Sequence, residues 1–227
     1  MTPTNPANPP FPSSFWTANT TELFERAAYY AMASFVVLYL GQLGFGAYWP
    51  SFLNSSVLWT LVYFLPILSG SVADQIGFKR ALLAAFVLLA CGYFLMGYPV
   101  WIGHHALAET VSAEVTVGRS VVVPIVAAVL LIGVGGSIVK PCIAGTVQKT
   151  AGARKTLGFA IFYMIINIGS LLGRAISYLF RTRYDLSAIY AVSMGAAILA
   201  FFVVLFVYRD PDLGIEGPKK PARSPGR

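Results

Sequence analysis

Charge is what this chain lacks. Of its 227 residues, 11% are Asp, Glu, Lys or Arg, where a soluble domain carries about 25%. A chain so poor in charge and 57% hydrophobic cannot cover a water-facing surface. Its recurring apolar runs point instead to a polytopic helical protein embedded in a lipid bilayer. Cysteine is also scarce. Cys91 and Cys142 are the only two and both sit in apolar runs, which excludes a disulfide framework. The histidines are two, with no metal or haem spacing around them, so no metal site and no bound cofactor is expected. Residues 1–12 hold no charge and hence no basic n-region, so no cleavable signal peptide is expected. The net charge of +7 lies mostly in turns and the tail, and it indicates neither nucleic acid nor an acidic substrate.

What is present is a succession of apolar runs separated by short polar turns. A flexible, proline-rich lead covers 1–13, a six-helix transmembrane bundle 14–208, and a polar, basic tail, read as disordered, 209–227. Within the bundle, helices are predicted at about 14–43, 51–73, 81–98, 120–147, 157–180 and 186–208. Pro66 is expected to kink the second. Residues 99–119 form the longest loop. Counting Lys and Arg gives ten in the turns 74–80 and 149–156 and the tail, against three (Arg119, Arg181 and Arg183) on the alternate side. That asymmetry places both termini in the cytoplasm. The sequons at Asn19 and Asn54 fall in or beside helices and read as chance.

Three charges break the apolar pattern early. Glu22, Glu25, Arg26, Tyr29 and Tyr30 are spaced i, i+3, i+4, i+7 and i+8. On a helix they share a stripe roughly 140° wide. Such a stripe must face a bundle interior or a cavity rather than lipid, unless the first turns lie among the headgroups. Lys140 follows nineteen residues without a charge. It either snorkels to the cytoplasmic side or meets a carboxylate, with Glu25 or Glu22 the natural candidates. Asp74 precedes the third helix, where a carboxylate suits the positive end of the helix dipole.

Several of these segments resemble one family. Thr21-Glu22-Leu23-Phe24-Glu25-Arg26-Ala27-Ala28-Tyr29-Tyr30 is similar to the E-x-x-E-R-F-x-Y-Y motif of the proton-coupled oligopeptide transporter family, within the major facilitator superfamily. It departs only at Ala27. Gly133 to Pro141 resembles that family's G-x-G-x-x-x-K-P, and Phe159 to Ser170 its F-x-x-F-Y-x-x-I-N-x-G-S. Gly70, Asp74 and Gly77 match the superfamily's loop motif between the second and third helices, although Gln75 and Phe78 replace two of its arginines. Tyr63 stands eleven residues before Asp74, where the family has a tyrosine facing its pocket.

The resemblance implies an all-α fold, six transmembrane helices forming one half of a major facilitator protein as a 3+3 inverted repeat. It implies a secondary symporter, not an enzyme, that takes up di- and tripeptides with protons as the coupling ion, in the plasma or inner membrane. Arg26 and Lys140 would then form the pocket for the peptide carboxylate, and Tyr29, Tyr30, Tyr63 and Asn167 would position it. Glu22 and Glu25 would take part in proton coupling, and Gly70, Asp74 and Gly77 would form a gating loop. Gly169 and Gly173 form a G-x-x-x-G pair suited to close helix packing. Arg174 departs from the family and either adds an anion-binding charge to the cavity or snorkels outward. Two other readings remain: a membrane module that does not transport, or works only with a partner, and a carrier of non-peptide substrates. A lone six-helix bundle is expected to leave the Glu22–Tyr30 stripe open to lipid on one side, so a second six-helix half is expected as partner.

Overall fold

The computed structural model describes residues 10–211. The expectations for 1–9 and 212–227, within the lead and the tail, lie outside the described residues. Among the described residues every regular element is helical. Five helical segments are long and apolar enough to cross a bilayer, and a bent pair brings the spans to six.

Span I is that bent pair, α1 (Ser13–Ala33) and α2 (Val36–Leu43), with 45° between them. The sequence reads as one continuous helix over 14–43, since no proline or glycine interrupts it near the bend. The break falls at Ser34, whose hydroxyl donates to the Tyr30 carbonyl oxygen at 2.7 Å. Such back-bonding bends helices. Phe35 then leaves helical geometry, with φ −132° and ψ 5°. Two other polar residues of α1 bond back in the same local way: the Asn19 amide N–H donates to the Phe15 carbonyl and the Thr21 hydroxyl to that of Thr17, while the Asn19 Oδ1 has no hydrogen-bond partner among the described residues. Asn19 is 1% exposed.

Span II is assembled from α3 (Trp49–Ser51), a π-helical stretch at Phe52–Leu58, α4 (Trp59–Phe64) and α5 (Pro66–Ile76). Pro66 has no N–H to give to the carbonyl one turn back, and α4 ends just before it. The turn expected over 74–80 is much tighter: α5 runs to Ile76 and α6 (Phe78–Trp101), which is span III, begins after Gly77 alone. Gly77 has φ +92°, a conformation that only glycine adopts readily. Asp74 therefore lies in the last turn of α5, not ahead of α6. The carboxylate at the start of α6 belongs to Asp210, which accepts from the Lys79 backbone N–H at 2.7 Å. Asp210 thus takes the dipole-stabilising place that the sequence suggests for Asp74.

Span IV is α7 (Arg119–Thr150), span V is α8 (Lys155–Arg183) preceded by a 3-10 turn at Gly152–Arg154, and span VI is α9 (Ala188–Phe206). The strongest pairings are III with IV, I with V, III with VI, I with VI, and II with IV. This pattern maps onto itself when I exchanges with IV, II with V and III with VI. Equivalent spans are three apart and so run in opposite senses, as in a 3+3 inverted repeat.

The core sits on spans I, III, IV and VI, where Phe15, Met32, Tyr39, Phe86, Tyr93 and Tyr190 are fully buried. Tyr39 donates to the Met96 carbonyl oxygen at 2.7 Å, and Trp101 to the Ser187 hydroxyl at 3.0 Å. Loop 102–118 straps one end of the bundle. Its Ala108 and Thr116 N–H groups donate to the carbonyls of Gln42 and Gly44 at 2.9 and 2.8 Å. At the other end meet residues near both chain ends and two turns. Arg154 lies over the Phe11 ring, Lys149 over Phe78, and Tyr208 hydrogen-bonds Thr146.

Candidate functional site

The centre of the site is a buried ion triad on α1. Glu22 and Arg26, one turn apart, meet at 3.2 Å between Oε1 and Nε, the contact that i, i+4 spacing provides. Glu25 reaches sideways and pairs with Arg26 through both its Nε and Nη2. Glu22, Glu25 and Arg26 are 0%, 1% and 3% exposed, and Tyr29 is 6% exposed. Glu22, Glu25, Arg26 and Tyr29 are therefore closed within this one bundle, contrary to the expectation that a lone bundle leaves the stripe open to lipid; Tyr30 alone of the five is half-buried, at the edge of a concavity. α8 lies against the Arg26 side of the stripe, and α7 brings Lys140 within electrostatic reach of it.

Glycine makes the α8 contact possible. A Cβ on Gly169 would stand 2.7 Å from the Arg26 Cβ, and one on Gly173 would overlap the Ala27 carbonyl oxygen. The G-x-x-x-G pair thus lets α8 lie directly on α1. Gly173→Leu is expected to push α8 off α1 and open the triad. It should lower the thermal unfolding midpoint of the purified chain by roughly 2–12 °C, since overpacking costs about 1–3 kcal/mol and each kcal/mol is worth about 2–4 °C in a chain of this size. An unchanged midpoint in nanodiscs would contradict this packing.

Lys140 does not reach either glutamate as a salt bridge. Arg26 occupies both carboxylates, and the Lys140 ammonium lies 4.5 Å from the centroid of the Tyr63 ring. It is half-buried and within electrostatic reach of Arg26, Glu25 and Glu22. The cation–π contact supplies part of what a carboxylate would have supplied.

Beside the triad opens a concavity of about 520 Å³ lined by Tyr29, Tyr30, Asn54, Trp59, Tyr63 and Arg174, with Ala33 and Ser34 at the α1 break. Tyr63 is 53% exposed there. The Arg26 guanidinium lies 5.4 Å from the Tyr29 centroid, which joins the buried charges to the cavity wall. Arg174 does not snorkel away: it lines this concavity, 5.2 Å from the Tyr30 centroid. Asn167 is not among the lining residues. Its side chain is exposed and donates to the Tyr163 carbonyl on its own helix at 2.9 Å.

Gly70 and Asp74 line a second concavity, of about 540 Å³, with Phe78, Pro141, Gln148 and Lys149. Gly70 faces the Pro141 ring, which a Cβ would approach to 3.2 Å. Gly77 only forms the turn. Among the described residues no cluster of His, Cys, Asp or Glu could hold a metal ion.

Sequence reasoning missed Asn54, set aside as a chance sequon, although a polar side chain within an apolar span was the available signal. It also missed Tyr93 on α6. That phenol is fully buried, has no hydrogen-bond partner among the described residues and lies within electrostatic reach of Glu25, Arg26 and Tyr29.

A bundle of six spans paired as an inverted repeat defines a class of fold: polytopic helical membrane proteins of the major facilitator type. The particular family follows from sequence comparison. The profile of the POT family matches residues 79–215, more than half of the chain, and the chain belongs to that family. It is 29% identical over 216 residues to "Dipeptide and tripeptide permease B" of Salmonella typhimurium, covering 93% of this chain and 40% of that protein. It is 27% identical over 223 residues to "Uncharacterized transporter YclF" of Bacillus subtilis, covering 92% of this chain and 40% of the relative. Among solved structures, tetrameric PepTSo2 superposes with a TM-score of 0.69 at 26% identity, over 86% of this chain and 40% of that one. The chain thus spans about two fifths of the length of the relatives it matches, and it is a multi-pass membrane protein.

Proposed function

We propose that this chain is the first six-span bundle of a proton-coupled carrier of di- and tripeptides. The observation that carries the reading is the triad of Glu22, Arg26 and Glu25, sealed against the wall of the Tyr29–Tyr30–Tyr63 concavity. A carboxylate paired with a guanidinium in a low-dielectric interior stays ionised. Once the pair opens, the carboxylate favours its protonated form. Proton uptake by Glu22 or Glu25 therefore releases Arg26, and the freed guanidinium, with Lys140, can receive a peptide carboxylate. Charge recombination reverses both events, which ties proton movement to peptide binding without any covalent chemistry or bound cofactor. The permease names of the relatives support peptides as the substrate class.

Among the described residues the concavity beside the triad is lined by no carboxylate for the peptide's ammonium, and Arg26 holds the two buried ones next to it. Asn167 and Arg174 are also exposed within the α8 span, where contact with lipid is costly. Both features are met by a second six-span half packed on the faces of spans II and V, as alternating access requires. A second copy of this chain would bring the same deficit of free carboxylate, so a distinct half is the better partner. In this reading the bundle resides in the plasma or inner membrane with both ends cytoplasmic. The second concavity, around Gly70 and Asp74, is then the cytoplasmic gate.

The test is dipeptide accumulation in proteoliposomes under an inward proton gradient, with the chain alone and with a second half. Gradient-driven uptake is expected only when both halves are present. Uptake by the chain alone would remove the partner from the proposal. Failure of the reconstituted pair to accumulate any dipeptide would remove the peptide-symport reading.

A further inference from the structure

Two carboxylates, one guanidinium and one ammonium make a neutral set, and Glu22, Glu25, Arg26 and Lys140 form such a set within electrostatic reach of one another. Arg174 is left over. It is exposed on α8, nine residues inside the end of that helix at Arg183. Among the described residues no carboxylate lies within ion-pair distance of it. Of the other acidic side chains described, Asp74 lies in the last turn of α5, and Glu109, Glu114, Asp185 and Asp210 belong to the loops and turns at the two ends of the bundle.

Its surroundings suit an anion. The guanidinium rests 5.2 Å from the Tyr30 ring centroid, a contact that uses none of its five N–H donors. The phenol of Tyr30 and the amide of Asn54 line the same concavity and supply further donors. Asn54 is delivered there by the π-helical stretch Phe52–Leu58, a geometry that recurs at functional sites. Arg26, by contrast, is 3% exposed and already holds two carboxylates. In the conformation described, Arg174 is the guanidinium that a ligand entering the concavity meets. A planar, bidentate fork matches a carboxylate better than it matches a point anion.

We propose that Arg174, with Tyr30 and Asn54, forms a carboxylate subsite of its own, engaged while Arg26 is still locked to its glutamates. The proposal deepens the peptide reading and rests on it for the identity of the ligand. The carboxylate comes either from a peptide's C-terminus or from an acidic side chain.

The experiment uses the full chain in nanodiscs, as parent, Arg174→Gln and Arg174→Lys. The probes are carbon-13 acetate, followed by line broadening, and three dipeptides: Ala-Ala, Ala-Ala amide and Ala-Glu amide. Arg174→Gln is expected to weaken binding of carboxylate-bearing probes about tenfold or more, the scale of a charge-assisted hydrogen bond. Arg174→Lys should fall between it and the parent, and binding of Ala-Ala amide should not change. A loss confined to Ala-Ala assigns the subsite to the C-terminus, and one confined to Ala-Glu amide assigns it to an acidic side chain. Either supports the subsite, provided the melting temperature equals the parent's. Equal carboxylate binding by parent and Arg174→Gln overturns the subsite, as does a parent that binds no carboxylate. Arg174-dependent binding of acetate as tight as that of Ala-Ala keeps the subsite and counts against the peptide reading instead.

Discussion

Arg26→Ala is expected to destabilise the bundle more than any other single truncation within the site. The substitution leaves Glu22 and Glu25, 0% and 1% exposed, without their cation. Removing one partner of a buried ion pair costs about 3–5 kcal/mol. Two carboxylates share the loss here, and among the described residues the other cation in electrostatic reach of Glu22 is Lys140, which is engaged on the Tyr63 ring. The protein can escape the cost only by protonating both acids, so Arg26→Ala should also lose dipeptide binding. The check is the unfolding midpoint in nanodiscs, taken beside the triple variant Arg26→Ala, Glu22→Gln, Glu25→Gln. The triple variant removes the stranded charges and should recover most of the stability while still failing to bind. If Arg26→Ala melts like the parent, the triad does not hold α1 in place.

Glu22→Gln should separate binding from coupling. Gln keeps the volume of the side chain and its capacity to accept a hydrogen bond, but it carries no titrating proton. It also changes the formal charge of the triad from −1 to 0, which mimics the protonated state permanently. In proteoliposomes containing the chain and a second half, peptide counterflow should persist. Accumulation driven by the proton gradient should fall to the level of protein-free vesicles. Gradient-driven uptake equal to the parent's would take Glu22 out of the coupling path and leave Glu25 as the acid to examine.

The spans, their order and the site-bearing helices were legible in the sequence because each is written in local terms. Hydropathy runs gave the spans, and the spacing of Glu22, Glu25 and Arg26 gave one helix face. The glycines at 169 and 173 marked a face of close approach, and the POT resemblance is confirmed by the profile match. Pairing was not legible. Whether Lys140 meets a glutamate or a ring depends on how α7 sits against span II, which no local spacing encodes. The break in span I rests on a single hydroxyl, that of Ser34 bonded to the Tyr30 carbonyl, and serine inside a helix does not usually announce a bend. The exchange of Asp74 for Asp210 at the start of α6 spans 131 residues and lies beyond any local rule. Asn54 was overlooked because it was read as part of a chance sequon and not as a polar side chain within an apolar span; it sits in the π-helical stretch and lines the cavity.

The strap formed by loop 102–118 has a mechanical consequence. It joins spans III and IV, the seam between the two triplets, and it is also bonded to the turn that follows span I through the carbonyls of Gln42 and Gly44. His105 adds a contact with the Leu43 carbonyl at 3.0 Å. The two triplets are therefore stitched together at that end, and sliding one along the other would tear several hydrogen bonds at once. Such a body tilts as a single lever more readily than it shears. If the bundle moves as the proposed carrier requires, the compliance is left to places outside the seam: the break at Ser34, the discontinuous helix around Pro66, and the glycine-paved contact between α8 and α1.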